Sequence, residues 1–334
     1  MIRIGTRSSP LALIQASLVR DALAQAHPHK QIEIIPFTTR GDRTLRSLHD
    51  IGGKALFTKE LQDALLMNTI DAAVHSLKDV ELHNLPLTLG AYLPREAPHD
   101  VLITRKNNDA LIFLGDQKVQ GSSDQAGEKV NNPRVFNNQS FPKELSGILG
   151  SCSPRRCAQA KLTWPDITIV DLRGNVGTRL QHMVDGKIDA TILAAAGLIR
   201  LGLIGHAFEE RYPTLQQSVL PIETFIPAAG QGVIAIECRP EDAGLFAPIS
   251  DVNTQYCAQL ERQFSKHLGG SCRTALGAHV RFAEGSLKIN NESIDATKLI
   301  EILAFFEGRT LGRMFPATGD LSEAIHDMAN ALKE

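Results

Sequence analysis

Cysteine is sparse and wrongly spaced for shared chemistry. The five residues, at 152, 157, 238, 257 and 272, are odd in number and include no C-x-x-C pair. That spacing argues against both a disulfide framework and a zinc site. No apolar run approaches the roughly 18 residues that a membrane span needs. Neither sign of charge dominates, with 35 Lys and Arg against 37 Asp and Glu for a formal net charge of −2. A chain so balanced lacks the basic footprint that holds a nucleic-acid backbone. The phosphate-binding G-x-x-x-x-G-K-[ST] string, a G-x-G-x-x-G after a strand, and H-E-x-x-H are all missing. Gly52-Gly53-Lys54 and Gly230-Gln231-Gly232 are too short to replace them. Met1-Ile2-Arg3-Ile4-Gly5 goes straight into a strand pattern without a signal peptide. The expectation is a reduced, soluble, cytoplasmic protein with neither a membrane nor a nucleic-acid partner.

What is present is ordinary globular composition, 43% hydrophobic and 22% charged over 334 residues, enough for two or three domains. The first two-thirds alternates short β-like runs with helical periodicity. Residues 2–5 read as a strand, and Ser9-Pro10 as an N-cap and N1 proline opening a helix to about Ala26. Further strands are read at 32–37, 70–75, 87–92, 101–104, 167–172 and 190–194, with a helix at 56–67. Such alternation implies α/β layers around largely parallel sheets. The tail changes character near residue 252. A helix at 254–268, with Cys257, Leu260, Glu261, Phe264 and Leu268 in phase, precedes β-like runs at 276–282, 286–289 and 299–306 and a final helix at 320–333. That reads as a separate α+β domain. Residues 115–147, rich in Gly, Ser, Asn, Gln and Lys, have little periodicity and are expected to form a disordered surface insertion.

In open α/β sheets ligands bind beyond the carboxyl ends of the strands. Those ends repeatedly offer Arg or Lys beside hydroxyls or glycine: Thr6-Arg7-Ser8-Ser9, Thr39-Arg40-Gly41-Asp42, His75-Ser76-Leu77-Lys78-Asp79, Ser151-Cys152-Ser153-Pro154-Arg155-Arg156 and Arg173-Gly174-Asn175. Arg200 lies one helical turn beyond the strand at 190–194. The basic residues divide into 21 Arg and 14 Lys, and Arg is the better fork for carboxylates. The pattern points to a ligand carrying several carboxylates or phosphates, each charge-assisted bond contributing about 1.5–3 kcal/mol. Asp79 stands out among these cations. On spacing alone it reads as a surface partner of Lys78 or a helix cap; its functional reading is a carboxylate facing a cation formed during reaction. His75 reads as a hydrogen-bonded strand residue. Cys272, in Leu268-Gly269-Gly270-Ser271-Cys272-Arg273, sits in a permissive loop beside a positive charge. The other four cysteines read as packing residues, although Cys152 falls in one of the candidate anion loops.

Taken together the strings resemble the hydroxymethylbilane synthase (porphobilinogen deaminase) family. They are Ile4-Gly5-Thr6-Arg7-Ser8-Ser9-Pro10-Leu11-Ala12, Thr39-Arg40-Gly41-Asp42, Gly53-Lys54-Ala55-Leu56-Phe57-Thr58-Lys59-Glu60-Leu61 and His75-Ser76-Leu77-Lys78-Asp79-Val80. Leu172-Arg173-Gly174-Asn175-Val176-Gly177-Thr178-Arg179-Leu180, Ala195-Ala196-Gly197-Leu198, Ala229-Gly230-Gln231-Gly232 and Gly270-Ser271-Cys272 follow in the family's order.

The resemblance implies two periplasmic-binding-protein-like α/β domains, 1–95 with 227–250 and 96–226, and a small α+β domain at 252–334 carrying a cofactor. It implies a monomeric transferase of porphyrin and heme biosynthesis that joins four porphobilinogen molecules on a dipyrromethane held by a thioether to Cys272. Asp79 matches the catalytic position. Ser76, Lys78, Ser151, Cys152, Ser153, Arg155, Arg156, Arg173 and Gly174 match the cofactor's surroundings, and Arg7, Ser9, Lys54, Phe57, Arg179, Arg200 and Gln231 those of the substrate. The chain departs from the family at Cys152 and Pro154, which replace a hydroxyl and a backbone N–H and imply weaker cofactor binding there. Glu81 replaces a usual proline, and Asp50 a common lysine. A non-catalytic anion- or solute-binding protein, or an inactive paralogue on the same scaffold, is the alternative.

Overall fold

The computed structural model describes residues 1–39, 58–80, 86–106, 111–113, 142–270, 274–283, 286–289, 292–295, 299–317 and 320–333, of which 111–113, 286–289 and 292–295 are described in the backbone only. The chain divides into two compact units, residues 1–98, 153–155 and 226–334 forming the first and 99–152 with 156–225 the second.

The first unit opens with β1 (Ile2–Arg7), α1 (Pro10–Ala26), β2 (Ile32–Phe37), α2 (Lys59–Leu66), β3 (Ala72–Ser76) and β4 (Thr88–Tyr92). The second unit holds β5 (Asp100–Arg105), β6 (Leu111–Phe113), β7 (Pro142–Leu145), β8 (Ile148–Gly150), most of α3 (Pro154–Thr163), β9 (Thr168–Val170), α4 (Val176–Val184), β10 (Ala190–Ala194), α5 (Ala195–Arg200), α6 (Gly205–Arg211) and β11 (Leu215–Val219). The chain then returns to the first unit through β12 (Ile234–Cys238), α7 (Ala243–Phe246), α8 (Val252–His267), β13 (Leu276–Phe282), β14 (Ser286–Ile289), β15 (Glu292–Asp295), β16 (Leu299–Phe306), β17 (Arg309–Pro316) and α9 (Ser322–Lys333).

The two large sheets share one plan. In the first, ordered β2-β1-β3-β12-β4, the neighbours β2, β1 and β3 run parallel and β12 runs against both β3 and β4. In the second, ordered β9-β8-β10-β5-β11, β9, β8 and β10 run parallel and β5 runs against both β10 and β11. Each reversed strand is the first strand laid down after the chain enters or re-enters its unit.

Side-chain alternation decides what each face packs. Ile2 and Ile4 of β1, Ala72 and Val74 of β3, and Ile234 and Ile236 of β12 meet Ala16, Val19 and Leu23 of α1 on one face. Ala73 meets Leu61, Ala64 and Leu65 of α2 on the other. Ser9 fixes where α1 begins: its Oγ accepts the Ala12 N–H at 3.3 Å, and Pro10 takes the first helical position. Each fully buried Leu or Ile contributes about 1.5–3 kcal/mol. From α8 onward the chain forms a core of its own. Cys257, Leu260 and Phe264 of α8 and Ile325, Met328 and Leu332 of α9 pack on Ala278 and Val280 of β13 and Ile300 and Ile302 of β16.

Several sequence expectations change. The predicted helix at 56–67 begins, as described, only at Lys59, and the strand at 167–172 shortens to three residues. The end of the expected 115–147 insertion is structural: Pro142–Leu145 pairs with β6, Leu145 is buried, and the Trp164 indole donates to the Pro142 carbonyl at 3.0 Å. Residues 115–141 of the expected insertion lie outside the described residues. Strands β6, β11, β12, β15 and β17 are absent from the sequence reading.

Candidate functional site

β1 and β3 run parallel, so Arg7 and Ser76 reach the same edge of the first sheet. Beyond Ser76, residues Leu77–Asp79 make one 3-10 turn closed by the Val80 N–H on the Leu77 carbonyl at 3.0 Å. Leu77 is buried and its N–H donates to the Val233 carbonyl at 2.9 Å. With Leu77 turned inward, Lys78 is half-buried and Asp79 exposed. A hollow of about 80 Å³ opens here, lined by Arg7, Ser9, Gln15, Thr58, His75, Ser76 and Asp79 among others. The Gln15 amide donates to Ser76 Oγ at 2.9 Å and fixes that hydroxyl. Four of the sequence-predicted residues thus share one cavity.

A second turn supports the first. Lys78 Nζ donates to Gln231 Oε1 at 3.2 Å, and Gln231 Nε2 donates to the Pro98 carbonyl at 2.7 Å. Gln231 sits between Gly230 (φ +74°) and Gly232 (φ +89°), left-handed positions that suit glycine. A Cβ on Gly232 would lie 2.2 Å from the Glu96 carbonyl oxygen. Arg95 Nε donates to the Gln231 carbonyl at 2.9 Å, and its two terminal nitrogens fork onto Glu261 at 2.6 and 3.0 Å. Burial alone would raise the Glu261 carboxyl. The Arg95 charge, with His279 beside it, outweighs that and holds it at about 2.

His75 is a buried strand residue whose Nε2 lies 3.1 Å from Glu237 Oε2, and Gln62 Nε2 donates to the same carboxylate. This agrees with its reading as a hydrogen-bonded strand residue.

In the second unit the loops after β8 and β9 meet. Arg179 Nε donates to the Gly174 carbonyl at 2.8 Å and Nη2 approaches Cys152 Sγ at 3.9 Å. Asn175 caps α4 by accepting the Thr178 N–H at 2.9 Å. Ser151 is buried, its N–H on the Val170 carbonyl, and Arg173 pairs with Asp171 at 3.2 Å. Arg156 is buried against Asp100 at 2.7 Å and the Ile192 carbonyl at 3.0 Å, which gives it a clear structural task. Arg155, grouped with Ser153 in the first unit, donates to the Ile226 carbonyl at 2.7 Å. Pro154 is the first residue of α3, where a missing N–H costs no helical bond. Arg200 closes α5. Lys54, Phe57 and Cys272 lie outside the described residues. Burial pushes the thiols of Cys238 and Cys257 up to about 11 and 12 and raises that of Cys157, as suits packing residues. Among the described residues no helix is long and apolar enough to cross a membrane, and no group of three or more His, Cys, Asp or Glu could hold a metal ion.

A family model described as "Porphobilinogen deaminase, dipyromethane cofactor binding domain" matches residues 2–247. The chain belongs to the porphobilinogen deaminase family. Its curated relatives include the porphobilinogen deaminase of Sphingopyxis alaskensis, 41% identical over 87% of this chain and 83% of that one. Another, from Nitrobacter winogradskyi, is 39% identical over 97% and 92%. Among solved structures the chain is similar to the periplasmic aliphatic sulphonate binding protein SsuA of Escherichia coli, 12% identical over 81% of this chain and 75% of that one, with a TM-score of 0.37.

The porphobilinogen deaminase cofactor is a dipyrromethane, which offers pyrrole N–H donors and a fringe of carboxylates. The donor set fits it: an exposed carboxylate at Asp79 shares a hollow with the Arg7 guanidinium and the Ser9 and Ser76 hydroxyls, and Lys78 is the next residue in the turn. Sequence reasoning missed Gln15, Arg95, Glu237 and Glu261. Gln15 and Glu261 each interrupt an otherwise apolar helical phase, Leu11–Gln15–Val19 and Cys257–Glu261–Phe264, and a polar residue there signals a buried partner. Arg95 and Glu237 carry no comparable local signal.

Proposed function

We propose that the chain is a hydroxymethylbilane synthase in which Asp79 is the catalytic carboxylate. It joins four porphobilinogen molecules head to tail with loss of ammonia, and water then frees the linear tetrapyrrole. The observation that carries this reading is the single hollow shared by Asp79, Arg7, Ser9 and Ser76. When bound through Cys272, the dipyrromethane supplies the pyrrole carbon on which growth starts.

The chain's own residues do the rest. Arg7, Lys54, Arg155, Arg173, Arg179 and Arg200 are the cations for acetate and propionate groups, with planar Arg forks selecting carboxylate geometry, whereas Arg156, which matches the same set, keeps its structural task on Asp100. Ser9, Ser76, Ser151 and Ser153 add hydroxyl donors, Cys152 a weak thiol donor and Gly174 a close backbone, while Phe57 adds an apolar wall. Gln231 holds Lys78 in place. Asp79 accepts the pyrrole N–H and stabilises the positive charge that appears as ammonia leaves porphobilinogen. Growth adds carboxylates at every step, which explains an Arg-lined edge on a chain of balanced charge. The segment from 252 is the cofactor-carrying domain, and the enzyme works as a cytoplasmic monomer on a small-molecule substrate. A binding protein without chemistry, or an inactive paralogue, is not favoured by the family membership.

The test is the intact mass of the purified protein beside Cys272→Ser, followed by turnover of Asp79→Asn. The reading expects the mass of two linked pyrroles in the parent only, and an Asp79→Asn protein that folds and keeps that mass but loses nearly all turnover. An unmodified parent that stays unmodified after incubation with porphobilinogen rejects the enzyme reading. Near-normal turnover of Asp79→Asn removes Asp79 from catalysis.

A further inference from the structure

We infer that Glu261 and Arg262, neighbours on α8, are positioning residues that set the two turns carrying Lys78, Asp79 and Gln231. The inference rests on the enzyme reading above.

Glu261 is fully buried among two main-chain N–H groups, Arg95 and His279. One carboxylate oxygen accepts the Gly230 N–H at 2.6 Å and Arg95 Nη2 at 3.0 Å. The other accepts Arg95 Nη1 at 2.6 Å and the Val280 N–H at 2.8 Å, with His279 Nδ1 at 3.3 Å. Arg95 in turn donates to the Gln231 carbonyl. One buried charge therefore grips the Gln231 turn twice, directly at Gly230 and through Arg95 at Gln231.

Arg262 acts on the other turn. Its Nη1 donates to the Val80 carbonyl at 2.9 Å, and the Val80 N–H closes the Leu77–Asp79 turn. The two turns meet at the Lys78–Gln231 hydrogen bond. Adjacent residues of a single helix thus fix both sides of that contact. α8 ends at His267, five residues before Cys272 in the sequence, so the helix that holds the turns also leads into the cofactor's cysteine.

An ion pair serving only the core would show in stability and nowhere else. Here three of the bonds hold backbone atoms of the reacting turns, the Gly230 N–H, the Gln231 carbonyl and the Val80 carbonyl, where a misplacement of about 1 Å can cost up to 100-fold in rate. The experiment measures kcat and KM for porphobilinogen, per molecule carrying the two-pyrrole mass, in Glu261→Gln, Arg262→Lys, Gln231→Ala and Glu261→Gln/Gln231→Ala.

Glu261→Gln and Arg262→Lys are each expected to melt cooperatively, keep the cofactor mass, hold KM within about twofold and lose about tenfold in kcat. Because Glu261 acts through Gln231, the double variant should fall short of the product of the single losses by at least about threefold. Losses that multiply, or an unchanged kcat in folded and loaded Glu261→Gln, overturn the inference while leaving the enzyme reading standing. If Glu261→Gln fails to fold, Arg262→Lys decides by the same split of kcat from KM. A parent that carries the cofactor mass yet never consumes porphobilinogen overturns both.

Discussion

A carboxylate that stays ionised at zero exposure ties part of the protein's stability to pH. Glu261 is held at about 2 against an ordinary 4.5. Its proton is therefore bound more weakly in the folded chain than in the unfolded one. The associated stability is complete above the unfolded value and is lost as pH falls from there towards the folded one. A depression of that size corresponds to about 3 kcal/mol at pH 6 and about half of that by pH 3. Urea unfolding of the parent and of Glu261→Gln at the two pH values checks this. The gap between them should narrow by about 2 kcal/mol on acidification, and a constant gap would mean that the Glu261 charge is not what Arg95 needs. The same residue shows how sequence reading stops short. Its place in the apolar phase of α8 is plain in the sequence, but its partners are Arg95, 166 positions away, and the N–H groups of Gly230 and Val280. A lone charge on an apolar stripe announces a buried partner without saying which one.

At the scale of the element, the decisive pieces are turns. The Gln231 turn needs two left-handed residues in three, and at Gly232 a side chain has no room as well as the wrong φ. Gly232→Ala should therefore cost more than the roughly 1 kcal/mol of an ordinary Gly→Ala conflict, about 2–4 kcal/mol with the clash against the Glu96 carbonyl. It should also lower turnover, because Gln231 moves with it. Thermal melts and steady-state rates on the same preparation test the two consequences together; a stable and fully active variant would show that this turn does not set Lys78. Other elements were legible for a stated reason. The helix to about Ala26 is legible because Ser9 and Pro10 mark its start, although the face it buries, Ala12, Ala16, Val19 and Leu23, is not its largest apolar one, and Leu18 stays exposed. β17 escaped notice because its side chains are mostly exposed and present no apolar alternation. The sequence places Pro142–Leu145 within the expected insertion because its partners, β6 and Trp164, are distant in sequence and its own composition is polar.

At the scale of the molecule, the family strings named most of the candidate residues, while the strand order of the sheets was out of their reach, because order depends on long-range pairing. Both large sheets need one reversed strand between the parallel core and the last strand. In the first unit that strand is β12, which arrives 142 residues after β4 ends, since Tyr92 closes β4 and Ile234 opens β12. Residues 1–98 alone would leave β3 and β4 without the strand that joins them, exposing two ladders of backbone donors and acceptors. In the second unit the reversed strand is β5, laid down first, so residues 99–225 contain every strand of their sheet. The chain's single tryptophan, Trp164, is buried there with its ring 6.3 Å from Phe225. Expressed separately, 99–225 should fold and show a cooperative shift of tryptophan emission in urea, whereas 1–98 should give no cooperative transition by circular dichroism. A two-state melt of 1–98 would mean that β12 completes a unit already able to stand without it. Loss of the transition in 99–225 would mean that Ser153–Arg155, which group with the first unit, must be held there before α3 can form on its sheet.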